Sequence, residues 1–239
     1  MVEVQNLSHR FRNLEVLHDI NFVVKPNEIM GLIGPNGSGK STTIRCLTGI
    51  LRPTAGTVRL SGYDIVRDPV KAKQGLAYLP DNPALFENLT CWEHVEFNAK
   101  IYGIDPYRDR ATALLEEFQL TQKRDALGSE LSRGMRQRLS LVCALMHSPT
   151  VMLLDEPMLG LDPKGIRLLN NRLRKAAEDG TAVIISSHLL ALLEEVCTKV
   201  LVLSQGHVRL YGLVDEVRKE IHRQTERLSL EELFFHVTE

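Results

Sequence analysis

The stretch GPNGSGKS, residues 34–41, constrains this chain more than any other. It follows the apolar run EIMGLI and precedes a segment of helical texture. A buried strand that breaks into glycines and restarts as a helix turns its backbone N–H groups toward one point. The helix start adds roughly half a positive charge there. Lys40 has the reach to meet terminal phosphates, and a hydroxyl at Ser41 suits a divalent cation. Gly34, Pro35, Asn36, Gly37, Ser38, Gly39, Lys40, Ser41 and Thr42 are therefore the candidate phosphate contacts. By average residue frequencies, a random chain of this length matches the pattern about one time in a hundred. The strand and helix on either side make chance a still poorer explanation.

Texture elsewhere fits a layered α/β core. VEVQNL, INFVVK, TVRLSG and GLAYLP read as strands, and AVIISS and VLVLS as short buried strands of parallel type. The helix after the glycine loop is expected from about Lys40 to Leu51, stopping before Pro53. From about Pro83 to Met146 the pattern turns helical. Thr90 and Glu93 match a capping box ahead of CWEHVEFNAKIYG, and RDRATALLEEFQL is amphipathic. Asp162-Pro163 reads as an N-cap with proline at the first helical position, for a helix ending near Gly180. Ser229 and Glu232 form another capping-box match before LFFHV.

The totals narrow the function classes. A chain of 239 residues suits one α/β domain with a small lobe, and a net charge of −1 provides no field for nucleic acid. Cys46, Cys91, Cys143 and Cys197 are far apart, which argues against a zinc site or a disulfide framework and suits a reducing compartment. MVEVQNLSHRF lacks the apolar core of a signal peptide. No apolar stretch approaches the roughly 20 residues that span a bilayer.

VMLLDEP places four apolar residues before Asp155 and Glu156. Two carboxylates ending a buried strand are costly without partners. Asp155 is the candidate metal holder, and Glu156 the candidate group to polarise an attacking water. Two acids at an exposed strand end are the plainer alternative, which the glycine loop makes less attractive.

These motifs, in this order along nearly the whole chain, resemble the ATP-binding subunit of ABC transporters. The resemblance implies a P-loop NTPase core with an antiparallel β subdomain and an inserted helical lobe. It divides the chain into a core at 1–82 and 148–212, a lobe at 83–147 and a C-terminal helical tail at 213–239. Phe11 falls where the family stacks adenine, although a core phenylalanine is the alternative. LSRGM matches the family signature at Leu131, Ser132 and Gly134; the first-principles alternative for Ser132 is a helix N-cap alone. LGLD resembles the loop that ends in Asp162, and His188 matches the switch histidine that contacts the γ-phosphate.

Two positions depart from the family pattern. Asp81 stands where glutamine is usual, and it can still ligate Mg²⁺ alongside Ser41 and Asp155. Arg133 and Met135 replace the commoner glycine and glutamine of the signature. LPDNPALFENLT, SRGM and the tail SLEELFFHVTE are similar to ABC-2-type exporter ATPases.

The implied activity is MgATP hydrolysis catalysed by Glu156, His188 and Lys40. The implied assembly is an ATP-sandwiched homodimer, or a heterodimer with another such ATPase. A separate integral membrane permease would hold it at the cytoplasmic face of the membrane, with the lobe near Asp81 to Tyr102 as the link. The alternatives are an importer subunit, a non-transport ABC ATPase and a P-loop small-molecule kinase; the last needs neither signature nor switch histidine.

Overall fold

The computed structural model describes residues 1–188, 190–221, 229, 230 and 232. The chain opens with β1 (Val2–Phe11), β2 (Leu14–Val24) and β3 (Ile29–Ile33), then α1 (Lys40–Leu47). Next come β4 (Ala55–Leu60), β5 (Tyr63–Asp64), α2 (Pro69–Gln74) and β6 (Leu76–Leu79). Three helices follow without an intervening strand: α3 (Cys91–Ile101), α4 (Arg108–Glu117) and α5 (Arg133–Leu145). The chain returns to the sheet with β7 (Val151–Asp155), α6 (Pro163–Glu178) and β8 (Ala182–Ser186). It finishes with α7 (Leu190–Glu194), β9 (Lys199–Ser204), β10 (His207–Leu213) and α8 (Val214–Ile221).

Two sheets result. A four-stranded antiparallel sheet runs β2-β1-β4-β5, and a six-stranded sheet runs β10-β9-β3-β8-β7-β6. All pairings in the second are parallel except β9 with β10. Every residue of β3, β7 and β8 is buried, as continuous apolar strands covered on both faces must be. Alternate residues serve different layers. Ile33, Leu154 and Ile185 face α3–α6, while Leu32, Leu153 and Ile184 face α1 and the antiparallel sheet. The core is thus sealed from both sides, and the carboxyl ends of the parallel strands are left to carry chemistry.

Most element boundaries follow local chemistry. The expected capping box at α3 forms: Thr90 N–H donates to Glu93 Oε2 at 2.7 Å, and Glu93 N–H to Thr90 Oγ1 at 3.2 Å. Asp162 caps α6 through Gly165 N–H at 2.8 Å. The end of α1 corrects the sequence reading: the helix stops at Leu47, not near Leu51. Gly49 adopts φ +69, and its N–H bonds Cys46 O while Ile50 N–H bonds Arg45 O. That pair of bonds closes the helix before Pro53 can act. The same arrangement ends α6 at Gly180, with φ +96, where Gly180 N–H bonds Ala177 O and Thr181 N–H bonds Ala176 O.

Near the C-terminus, Ser229 and Glu232 exchange the expected capping bonds, at 2.8 and 3.2 Å. The LFFHV segment after them lies outside the described residues. Leu230 is fully buried, and its N–H points at Glu194 Oε2 at 3.4 Å.

Candidate functional site

The glycine loop runs from the end of β3 into α1, and its glycines have separate reasons. At Gly34 an added Cβ would lie 2.3 Å from Leu203 O and 2.5 Å from Ser38 Oγ. At Gly39, with φ +109, it would lie 2.6 Å from Leu17 Cδ2. The first intrahelical bond runs from Thr43 N–H to Gly39 O at 2.8 Å, so the N–H groups of Lys40, Ser41 and Thr42 have no intrahelical partner. Lys40 Nζ folds back onto Gly34 O (2.7 Å) and Pro35 O (3.1 Å). Burial lowers its pKa, and the nearby carboxylates Glu156 and Asp155 partly restore it. Ser38 Oγ is buried without a partner. A cation, an orphan hydroxyl and free N–H groups around one turn fit a polyphosphate.

The acidic pair meets this loop from β7. Asp155 is 1 % exposed and accepts a hydrogen bond from Ser186 Oγ at 2.5 Å across the β7–β8 register. Glu156 leaves the strand with φ +48, a left-handed conformation uncommon for a residue with a Cβ. Its N–H is held by Ser186 O and Ser186 Oγ, both at 3.1 Å. Glu156 Oε2 then lies 3.0 Å from His188 Nδ1 and 3.4 Å from His188 N. A cavity of about 260 Å³ opens between Gly34, Pro35 and Asn36 on one side and His188 and Leu190 on the other. The fold thus brings residues near 34–42, 155–156 and 188 to one end of the sheet.

The remaining predicted residues sit apart from that cluster. Phe11 ends β1 at 46 % exposure, its ring edge-on to His9 at 4.6 Å, so it is not a core phenylalanine. Asp81 is exposed, and its Oδ1 accepts from Asn82 N–H at 2.9 Å. Ser132 is exposed and caps α5 through Met135 N–H at 3.3 Å. Gly134 packs against the chain's own Gly160: a Cβ there would lie 2.8 Å from Gly160 O. Arg138 Nη2 reaches Asp162 Oδ1 at 2.9 Å. α5 and the loop ending in Asp162 are therefore locked together within one chain. The Gly165 N–H bond, with help from Arg138, holds the Asp162 carboxyl below its ordinary pKa.

Two supporting residues escaped the sequence reading. Ser186 organises both carboxylates, and its only local signal was a polar residue ending an apolar run. Gln137, 1 % exposed, donates from Nε2 to Pro157 O at 3.1 Å and ties α5 to the turn after Glu156. A glutamine on the buried face of an amphipathic helix was the available clue.

Residues 17–159 match the family described as ABC transporter. With the strand order and the phosphate loop above, the chain belongs to that family as an ATP-binding subunit and is an ATPase. It is similar to the ABC-type transporter ATP-binding protein EcsA of Bacillus subtilis, 35% identical over 100% of this chain and 96% of that protein. The SkfA peptide export ATP-binding protein SkfE of the same organism is 34% identical over 93% of this chain and 96% of its own length. The lipopolysaccharide export system ATP-binding protein LptB of Escherichia coli is 32% identical, covering 91% and 92%. A solved structure described as the ATP binding subunit of an ABC transporter superposes with a TM-score of 0.94 at 36% identity, over all of both chains.

Proposed function

We propose that this chain hydrolyses MgATP as one half of a nucleotide-sandwiched dimer and powers export through a separate membrane permease. The observation that carries the reading is the Asp155–Ser186–Glu156–His188 cluster facing the glycine loop. The loop N–H groups and Lys40 hold the phosphates, and Ser41 and Asp155 hold Mg²⁺. The metal, when bound, offsets charge on the terminal phosphates. Glu156 orients a water for in-line attack on the γ-phosphorus; the bond to the leaving oxygen breaks as the new P–O bond forms. His188 fixes the Glu156 carboxylate through the 3.0 Å contact and faces the γ-phosphate side of the cavity. Most of the rate enhancement then comes from positioning and charge stabilisation.

Ser132 and Gly134 start α5, make no hydrogen bond to the glycine loop among the described residues, and lie on the helix whose Arg138 bonds Asp162. A second copy is the natural owner of the phosphate they face, and Phe11 is exposed enough to stack a base. The membrane partner would dock at the lobe, where exposed Phe86, Phe97 and Tyr102 line a cavity of about 400 Å³ together with Pro80, and exposed Ile101 lies on the same helix, α3. Asp81 adjoins this rim. Among the described residues no helix is long and apolar enough to cross a membrane, so a separate permease would supply the path and recruit the chain to the cytoplasmic face. Two relatives whose names specify export favour that direction.

The test is Glu156→Gln with saturating ATP and Mg²⁺. Turnover should fall about 10²–10⁴-fold, while light scattering after size exclusion reports a dimer. A variant that remains monomeric under saturating ATP would overturn the sandwich. Lys40→Ala should abolish turnover, and near-normal turnover would overturn the phosphate-loop assignment. ATP-dependent efflux that requires the co-purified permease would establish direction; uptake would reverse it.

A further inference from the structure

A third cavity, of about 360 Å³, lies at the opposite end of the parallel sheet from the glycine loop. Ser148, Pro149 and Thr150 line it just before β7 begins, and Asp179, Gly180 and Thr181 just before β8. Arg110 from α4 and Arg172 and Lys175 from α6 converge on it. Asp179 is the only carboxylate in the lining among the described residues.

These cations are poorly satisfied. Arg172 has 16% of its side chain exposed, and its nearest acidic contact is Glu117 Oε1, 3.9 Å from its Nε. That exceeds hydrogen-bond range, and the Nε is buried without a partner. Arg110 makes one hydrogen bond, from Nη2 to Leu145 O at 2.7 Å, and its Nε is also buried and unpartnered. Lys175 is exposed and has no ion pair among the described residues. Burial and the like charge of Arg172 both lower the pKa of Arg110.

Part of this charge has a local explanation. The carbonyl ends of α5 and α6 point here, and cations there are favourable. Leu145, the last residue of α5, accepts from Arg110. That accounts for one guanidinium donor and leaves Arg172 largely buried with no hydrogen bond among the described residues. A guanidinium Nε buried without an acceptor is costly, and a multivalent oxyanion in the cavity supplies acceptors in matching fork geometry.

We propose that this cavity binds a phosphate-class oxyanion, held by Arg172 and Lys175 with Arg110 behind them. Its volume exceeds what a bare phosphate needs, and Leu145, Pro149 and Ala176 give it an apolar wall. A small phosphomonoester and inorganic phosphate share the required headgroup. The site is separate from the nucleotide cradle and does not depend on the catalytic reading.

The experiment compares melting temperatures of the full chain and its Arg172→Gln and Lys175→Gln variants. Each is measured in inorganic phosphate, in glycerol 3-phosphate and in chloride at matched ionic strength. Phosphate at the nucleotide loop contributes equally to all three proteins and cancels in the comparison. The parent should gain about 2–4 °C more than either variant. A larger gain with the ester assigns the site to an organic phosphate; equal gains assign it to the phosphoryl group alone. Lys175 is exposed, so its replacement keeps the comparison valid if Arg172→Gln fails to fold. Equal gains in the parent and in every variant that folds, Lys175→Gln alone included, or no gain over chloride in the parent, would overturn the proposal.

Discussion

Replacing Ser186 by alanine isolates one oxygen atom on which both carboxylates of the site depend. The Oγ donates to Asp155 Oδ1 at 2.5 Å and accepts Glu156 N–H at 3.1 Å. Glu156 N–H keeps a second acceptor, Ser186 O, at 3.1 Å. The loss therefore falls on Asp155, which at 1 % exposure has little access to solvent. A hydrogen bond to a buried charged group contributes about 1.5–3 kcal/mol. At about 2–4 °C per kcal/mol for a chain of this size, the melting temperature should drop by about 3–12 °C. A carboxylate freed from its positioning partner also binds metal more weakly, by about 10–100-fold where such partners have been removed. Calorimetry measures the first effect, and ATP turnover titrated with Mg²⁺ measures the second. A melting temperature within about 1 °C of the parent would refute the energetic reasoning. An unchanged Mg²⁺ dependence would refute the link from Ser186 to the metal.

Two further perturbations test other parts of the structure. Gly134→Ala gains up to about 1 kcal/mol of helix propensity but places a Cβ 2.8 Å from Gly160 O, at a cost of about 1–3 kcal/mol. A net destabilisation of about 1 kcal/mol with reduced turnover is expected by thermal melting and phosphate release; a stabilised, fully active variant would mean that the Gly160 loop yields freely. His147 lies against Tyr102, rings 3.9 Å apart and nearly parallel, and burial lowers its pKa from 6.5, as does the positive charge of Arg110. The unfolded chain therefore takes up a proton first on acidification, so stability should fall as pH drops below about 6.5. His147→Phe should remove that part of the loss in melts between about pH 5 and 7, and an unchanged profile would exclude His147 as its source.

The legible part of this protein is the part written in short-range chemistry. GPNGSGKS demands a strand–loop–helix turn because only glycine permits the close approaches at Gly34 and Gly39. The caps at Thr90, Ser132 and Asp162 are likewise local, since each bonds an N–H three residues on. Where a local signal was misread, as at the end of α1, it was still present in Thr48-Gly49. β5 and α2 were not legible: both are short, and their apolar residues are too few to establish a period.

Beyond the motifs that the family resemblance had already grouped, tertiary structure decided which distant residues support the site. Nothing near Ser186 in sequence indicates that β8 would lie in register with β7 and bring its hydroxyl to Asp155. The Gly134–Gly160 and Arg138–Asp162 contacts depend on how α5 packs beside the loop before α6. The cationic cavity of Arg110, Arg172 and Lys175 gathers side chains from two helices that the sequence shows only as separate elements. Backbone preference and capping act over a few residues, so a sequence states them directly. Register and packing are settled by the whole buried surface at once, so they become readable only when the chain is folded.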